Sequence, residues 1–376
     1  MKQKSPKVLS TILTIIPGFV MGIILGLFVY RALATLSFGL FIAGLVGIIA
    51  TTLVSVVFSI ALHEAGHLLF GLMTGYKFSS YRIFNLMWIK GEDGKVKLKK
   101  FSIAGTGGQC LLVPPKMKNG KFPVVLYNLG GVITNTIACI LFLILFIVCF
   151  KIKYLALLML IFLSINLTFA LSNGIPLTTS GIDNDAKNAL SIKKTPEAMR
   201  AFWIQMKINE ENSKGKRLKD LPEEWFEAPT KEGMKNSIIA TLAVYRANRL
   251  LDQKKFEESD ELMKEIIEFD NATLLFYKQL LTCDRIYIEL ITERRSEIIE
   301  NMLSTKQKAT MKAMKDYPSI IRTEYAYALL FDNDKEKADK ILEKFESIAE
   351  NYPYESEISA ERELINIAIE IAKEQA

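Results

Sequence analysis

The sequence predicts an all-α membrane protein, with four transmembrane helices and a cytoplasmic β-hairpin insertion followed by a soluble helical domain. Three observations lead there. Of 376 residues, 50% are hydrophobic, and the mean hydropathy is +0.21, too apolar for an ordinary soluble chain of this length. Four apolar runs are long enough to span a bilayer, and all of them precede Lys187. Charge changes sign along the chain: residues 1–185 hold 16 Lys/Arg against 5 Asp/Glu, a net +11, whereas the remainder is −5. A basic membrane domain at 1–187 and an acidic soluble domain at 188–376 follow. The total of +6, with no basic helix interleaved with aromatics, gives no case for nucleic-acid binding.

The first apolar run, Val8 to Tyr30, follows the basic segment Met1 to Lys7. It is well beyond the ~7–15 residues of a signal-peptide core, so a retained anchor is expected. The second covers 38–62 with an apolar continuation to Met73, the third 123–150 and the fourth 154–172. Ten Lys/Arg fall in the connection 77–121, whereas the other two connections carry only Arg31 and the pair Lys151/Lys153. The positive-inside rule then puts both termini and the 77–121 loop in the cytoplasm of a bacterial cell. Within that loop, Tyr81 to Lys90 and Lys95 to Ile103 are β-leaning runs joined by Gly91-Glu92-Asp93-Gly94, the pattern of a hairpin. The following Gly105-Thr106-Gly107-Gly108-Gln109-Cys110-Leu111-Leu112-Val113 is glycine-rich, then apolar, and too short to cross; a re-entrant or membrane-surface segment is expected.

From about 190 onward the pattern is helical, with apolar residues at 3.6 spacing in 237–252, 256–269, 272–291, 319–331 and 335–350. Helical hairpins of the tetratricopeptide kind and a plain helical bundle both fit it. The four cysteines, Cys110, Cys139, Cys149 and Cys283, show no CxxC spacing and no disulfide framework.

The chemistry concentrates in one place. His63 and His67 are the only histidines in the chain, at i and i+4, with Glu64 directly after the first. On an α-helix this spacing aims both imidazoles at one zinc ion, and the glutamate can reach a metal-bound water as general base. With two histidines placed at random, the pattern arises on the order of once in several thousand chains. Between Arg31 and Tyr76 no other residue is ionisable. Each such group costs about 2.5 kcal/mol or more in a membrane if unpaired, and metal ligation supplies the partner.

A catalytic zinc normally takes a third protein ligand. Besides Glu64, the first 187 residues offer only the carboxylates Glu92, Asp93, Asp183 and Asp185. Glu92 and Asp93 fit a solvated hairpin tip. Asp183 and Asp185 follow Asn173-Gly174-Ile175-Pro176 at the end of the fourth span, which parity places on the same side as His63 and His67. Cys110 is a weaker candidate, better explained as a small residue in a turn.

These residues resemble the site-2 protease family of intramembrane zinc metallopeptidases over about 38–187. The resemblance rests on His63-Glu64-Ala65-Gly66-His67 in a span, Asn128-Leu129-Gly130-Gly131-Val132-Ile133-Thr134-Asn135 opening the next, and Asn173 and Pro176 before an aspartate. It implies that His63, His67 and one aspartate bind zinc, that Glu64 is the catalytic base, and that Asn173 orients the substrate peptide or its oxyanion. The family pattern would put the aspartate at position 181, here Gly181; Asp185 is preferred as its replacement, with Asp183 the alternative. The implied reaction is hydrolysis of peptide bonds in membrane-associated peptides or proteins, with the hairpin at 77–103 offering a strand edge for an extended substrate. The helical domain would serve a protein partner or substrate. A non-catalytic scaffold and a transporter accessory subunit are the competing functions; the intact Glu64 and the lack of a repeat among the spans speak against them.

Overall fold

The computed structural model describes residues 6–103, 106–179 and 182–375, with side chains from Ile15 onward except that of Thr179. Lys2, Lys4, Gly105 and Gly181 lie outside the described residues. The chain divides into two compact units, one of 1–83, 107–116 and 122–193 and one of 84–106, 117–121 and 194–376.

Among the described residues of the first unit, four helices are long and apolar enough to cross a membrane: α1 (Pro6–Leu33, over Ile15–Leu33), α2 (Phe38–Met73), α3 (Val125–Val148) and α4 (Lys153–Gly174). Their side-chain distribution is the reverse of a water-soluble bundle. Ser55, Ser59, Asn135 and Asn166 are 0% exposed, whereas Leu53, Ile137 and Ile147 are 62%, 56% and 63% exposed. Small residues let the helices approach: a Cβ on Gly66 would lie 2.3 Å from the Gly130 carbonyl oxygen, and one on Gly130 would lie 2.4 Å from that of Gly66. The two backbones therefore touch where α2 crosses α3, as small-residue contacts allow.

After α2 comes β1 (Lys77–Ile83), which pairs antiparallel with β4 (Gly108–Val113), Tyr81 opposite Cys110. The glycine-rich segment forms a strand at 108–113, along which burial alternates, with Cys110 and Leu112 buried. The fourth span leads through the short strands β5 (Thr178–Thr179) and β6 (Ile182–Asp183) into α5 (Asp185–Lys193), which packs on α3 and α4.

The second unit contains the expected hairpin, β2 (Leu86–Lys90) against β3 (Val96–Lys100), with Trp88 opposite Leu98. The expected first run is broken: Tyr81–Ile83 belongs to β1, and Phe84 at φ 50° turns the chain before β2. The rest is helical: α6 (Pro196–Ser213), α7 (Ser237–Asp252), α8 (Phe256–Glu268), α9 (Leu275–Ile291), α10 (Ser296–Met302), α11 (Thr305–Ala313), α12 (Pro318–Ala326) running into a π-turn at Tyr327–Phe331, α13 (Lys335–Ala349) and α14 (Glu355–Glu374). Met87 and Ile89 of the hairpin share one core with Leu251, Ile286, Tyr325, Phe345 and Leu364. Fully buried Arg322 sits among Asp284, Glu361 and the Tyr287 ring.

Candidate metal centre

One helical turn sets His63 and His67 on the same face of α2, with Nε2 atoms 3.2 Å apart. Asp185 Oδ2, at the start of α5, lies 3.0 Å from His63 Nε2 and 3.5 Å from His67 Nε2. Bonds of about 2.0–2.2 Å at tetrahedral angles separate donor atoms by roughly 3.3–3.6 Å, so these three atoms, 3.0–3.5 Å apart, need only a small outward shift to take three corners around one ion. Asp185 Oδ2 is buried and receives no hydrogen bond. The triad could therefore hold a metal ion.

Each imidazole is held from behind. His67 Nδ1 lies 2.8 Å from the Tyr127 carbonyl oxygen and His63 Nδ1 lies 2.7 Å from Asn135 Oδ1, both on α3. A backbone carbonyl only accepts, so the His67 proton sits on Nδ1 and leaves Nε2 a lone pair facing Asp185. Gly131 makes room for the other ring, since a Cβ there would stand 2.4 Å from His63 Cε1.

Glu64 is 9% exposed and faces β4. A Cβ on Gly108 would meet Glu64 Oε1 at 2.6 Å, so the glycine leaves the carboxylate its space. Arg82, 1% exposed on β1, donates to the Gly108 carbonyl oxygen at 3.3 Å. Tyr81 Oη donates to Ala61 O at 2.7 Å and Tyr127 Oη to Cys110 O at 2.8 Å, tying the β1–β4 ladder to α2 and α3.

Asp185 is delivered by its neighbour. Asn184 Nδ2 donates to the carbonyls of Ser172 and Ile175, both at 2.6 Å, while its Oδ1 accepts from Leu177 N and Lys187 N at 3.2 and 3.0 Å. This one side chain closes the loop after α4 and starts α5. Asp183 instead accepts from Thr178 Oγ1 across β5–β6. Asn173 stays with its own helix, donating to Phe169 O at 3.1 Å. Asp93 caps the hairpin turn, accepting from Lys95 N at 3.1 Å. Cys110 is buried, which pushes its thiol up and leaves it protonated.

Asn166, Asn184 and Arg82 take part in this arrangement without a place in the sequence motifs, while Asn135 and Gly108 stood in motifs without a role of their own. Asn135 and Asn166 carried a signal, an amide within an apolar run long enough to span; Asn184 carried none apart from its place beside Asp185. Comparison of the chain with protein-family models, with curated proteins and with solved structures finds no match in any of the three.

Proposed function

We propose that this chain is a membrane-embedded zinc metallopeptidase of the site-2 protease type. The observation that carries the reading is the convergence of His63 Nε2, His67 Nε2 and Asp185 Oδ2 within 3.5 Å of one another, beside Glu64 on the same apolar helix. Two imidazoles and a carboxylate in tetrahedral disposition are the donor set of a catalytic zinc, whereas calcium or magnesium would call for more oxygen ligands. The exposed apolar belt of α1–α4 and their buried amides support a lipid surround, since a belt of this kind is untenable in water. Lysine placement supports four spans with both ends in the cytoplasm.

Bound there, zinc would supply Lewis acidity toward a substrate carbonyl. The chain's own work is proton transfer and positioning. Glu64, one residue from a ligand, takes a proton from the attacking water as its oxygen bonds to the carbonyl carbon, and returns that proton to the leaving amine nitrogen as the C–N bond breaks. Asn173 is the proposed substrate-orienting group, exchanging its bond to Phe169 O for one to the peptide. A site framed by apolar helices favours substrates already in or on the membrane: anchored regulators, leftover signal peptides or small peptide precursors.

The test is a Glu64→Gln variant, which keeps both histidines and loses the base. It is expected to retain metal and to accumulate an uncut membrane-associated peptide that wild type shortens. Identical membrane peptide profiles from the two strains, with both proteins folded and expressed, would count against a peptidase and leave the scaffold and accessory-subunit readings.

A further inference from the structure

We infer that Asn135 and Asn166 form a buried amide relay that fixes His63 in the tautomer able to bind metal. The inference rests on the metal centre described above and adds two positioning residues to it. Asn135 on α3 and Asn166 on α4 are both 0% exposed, in helices apolar enough to span a membrane. There an amide without partners is costly, so their bonds define their orientation.

The polarity of the chain is set at its far end. Asn166 Nδ2 lies 2.9 Å from the Phe162 carbonyl oxygen, which can only accept. Asn166 must therefore turn Oδ1 the other way, where it accepts from Asn135 Nδ2 at 2.9 Å. Asn135 Nδ2 also reaches the Ser59 carbonyl oxygen at 3.3 Å, a second acceptor-only group agreeing with the first. Both constraints point Asn135 Oδ1 at His63 Nδ1, 2.7 Å away. The imidazole proton is then held on Nδ1, and Nε2 presents its lone pair to the centre. His67 gets the same instruction in one step from Tyr127 O. His63 needs a relay because the nearest group behind it is a side chain, and an unconstrained amide could equally present NH2.

Zinc affinity of the full-length protein, measured by competition with a chromogenic chelator, tests this. Asn135→Leu should weaken binding about 10–100-fold, as loss of a ligand's outer partner does. Asn135→Asp, which offers only acceptors to His63, should restore most of the affinity. Asn166→Leu should give a smaller loss, because Ser59 O still orients Asn135. A second readout needs no affinity change: with ¹⁵N-labelled histidine, the chain's only two histidines give two Nδ1–H signals in the zinc-loaded protein. Asn135→Leu should move the His63 signal upfield and leave that of His67 in place. Unchanged affinity and an unmoved signal in Asn135→Leu would overturn the relay, as would an Asn135→Asp variant as weak as Asn135→Leu. Failure of wild type to bind zinc would instead take down the metal centre, and the relay with it.

Discussion

The choice between Asp183 and Asp185 is made by two side chains, not by sequence spacing. Asn184 holds the loop so that the residue after it opens α5 against both imidazoles, while the residue before it turns to Thr178. Asp185→Asn should lower both zinc content and peptide cleavage, because it removes one of three donors. Asp183→Asn should leave most of each. Metal analysis of the purified variants beside a His63→Ala/His67→Ala control checks this, and the opposite ranking would reassign the ligand. In the second unit, Arg322 is buried against two carboxylates. Arg322→Met strips them of their partner and should cost about 3–5 kcal/mol, visible as a lower thermal midpoint.

At the scale of elements, the centre depends on how closely α2 and α3 approach. Gly66 and Gly130 put backbone on backbone, which sets the imidazoles within reach of Asn135 and the Tyr127 carbonyl. Gly66→Ala places a Cβ where the Gly130 oxygen stands, and a backbone cannot yield as a flexible side chain does. The expected result is a destabilisation of about 1–3 kcal/mol together with weaker metal binding. Gly47→Ala is the matched control: it lies in the same helix with nothing within 4 Å of the added carbon, and it should be close to neutral. Thermal unfolding and zinc content of the two variants in detergent make the comparison. Equal behaviour of the pair would remove the helix crossing from the account of the site.

For the whole molecule, the four apolar helices and the lysine distribution predict an even number of crossings. Single cysteines introduced near residues 5, 95 and 300, in a background lacking the four native cysteines, should all resist an impermeant reagent applied outside intact cells and react after permeabilisation. Labelling of any one from outside would contradict the topology. At 36 residues, α2 is about 54 Å long at 1.5 Å per residue, against a hydrocarbon core of ~30 Å. Under the proposed topology and function, its last third, which carries His63 and His67, would lie near the cytoplasmic boundary, where water is available.

Sequence alone determined the elements whose signal is local. Apolar runs of spanning length gave four helices within a few residues of their ends, 3.6 spacing gave α7, α8, α9 and α13, and the spacing of the two histidines put both imidazoles on one face of α2. Each depends only on neighbours along the chain, so periodicity records it. That 108–113 is a strand was not legible, because its apolar residues follow one another directly and its pairing partner, 77–83, is remote. What only the tertiary structure shows is which remote residues stand around the two histidines: Asp185, preferred on sequence, against both imidazoles, Asn135 behind His63, Asn166 behind Asn135, and Gly108 beside Glu64. Those contacts span 31 to 122 positions along the chain and arise from helix crossing and loop closure, which leave no period in a sequence. A carboxylate becomes a ligand through where packing puts it, and packing is a property of the folded chain.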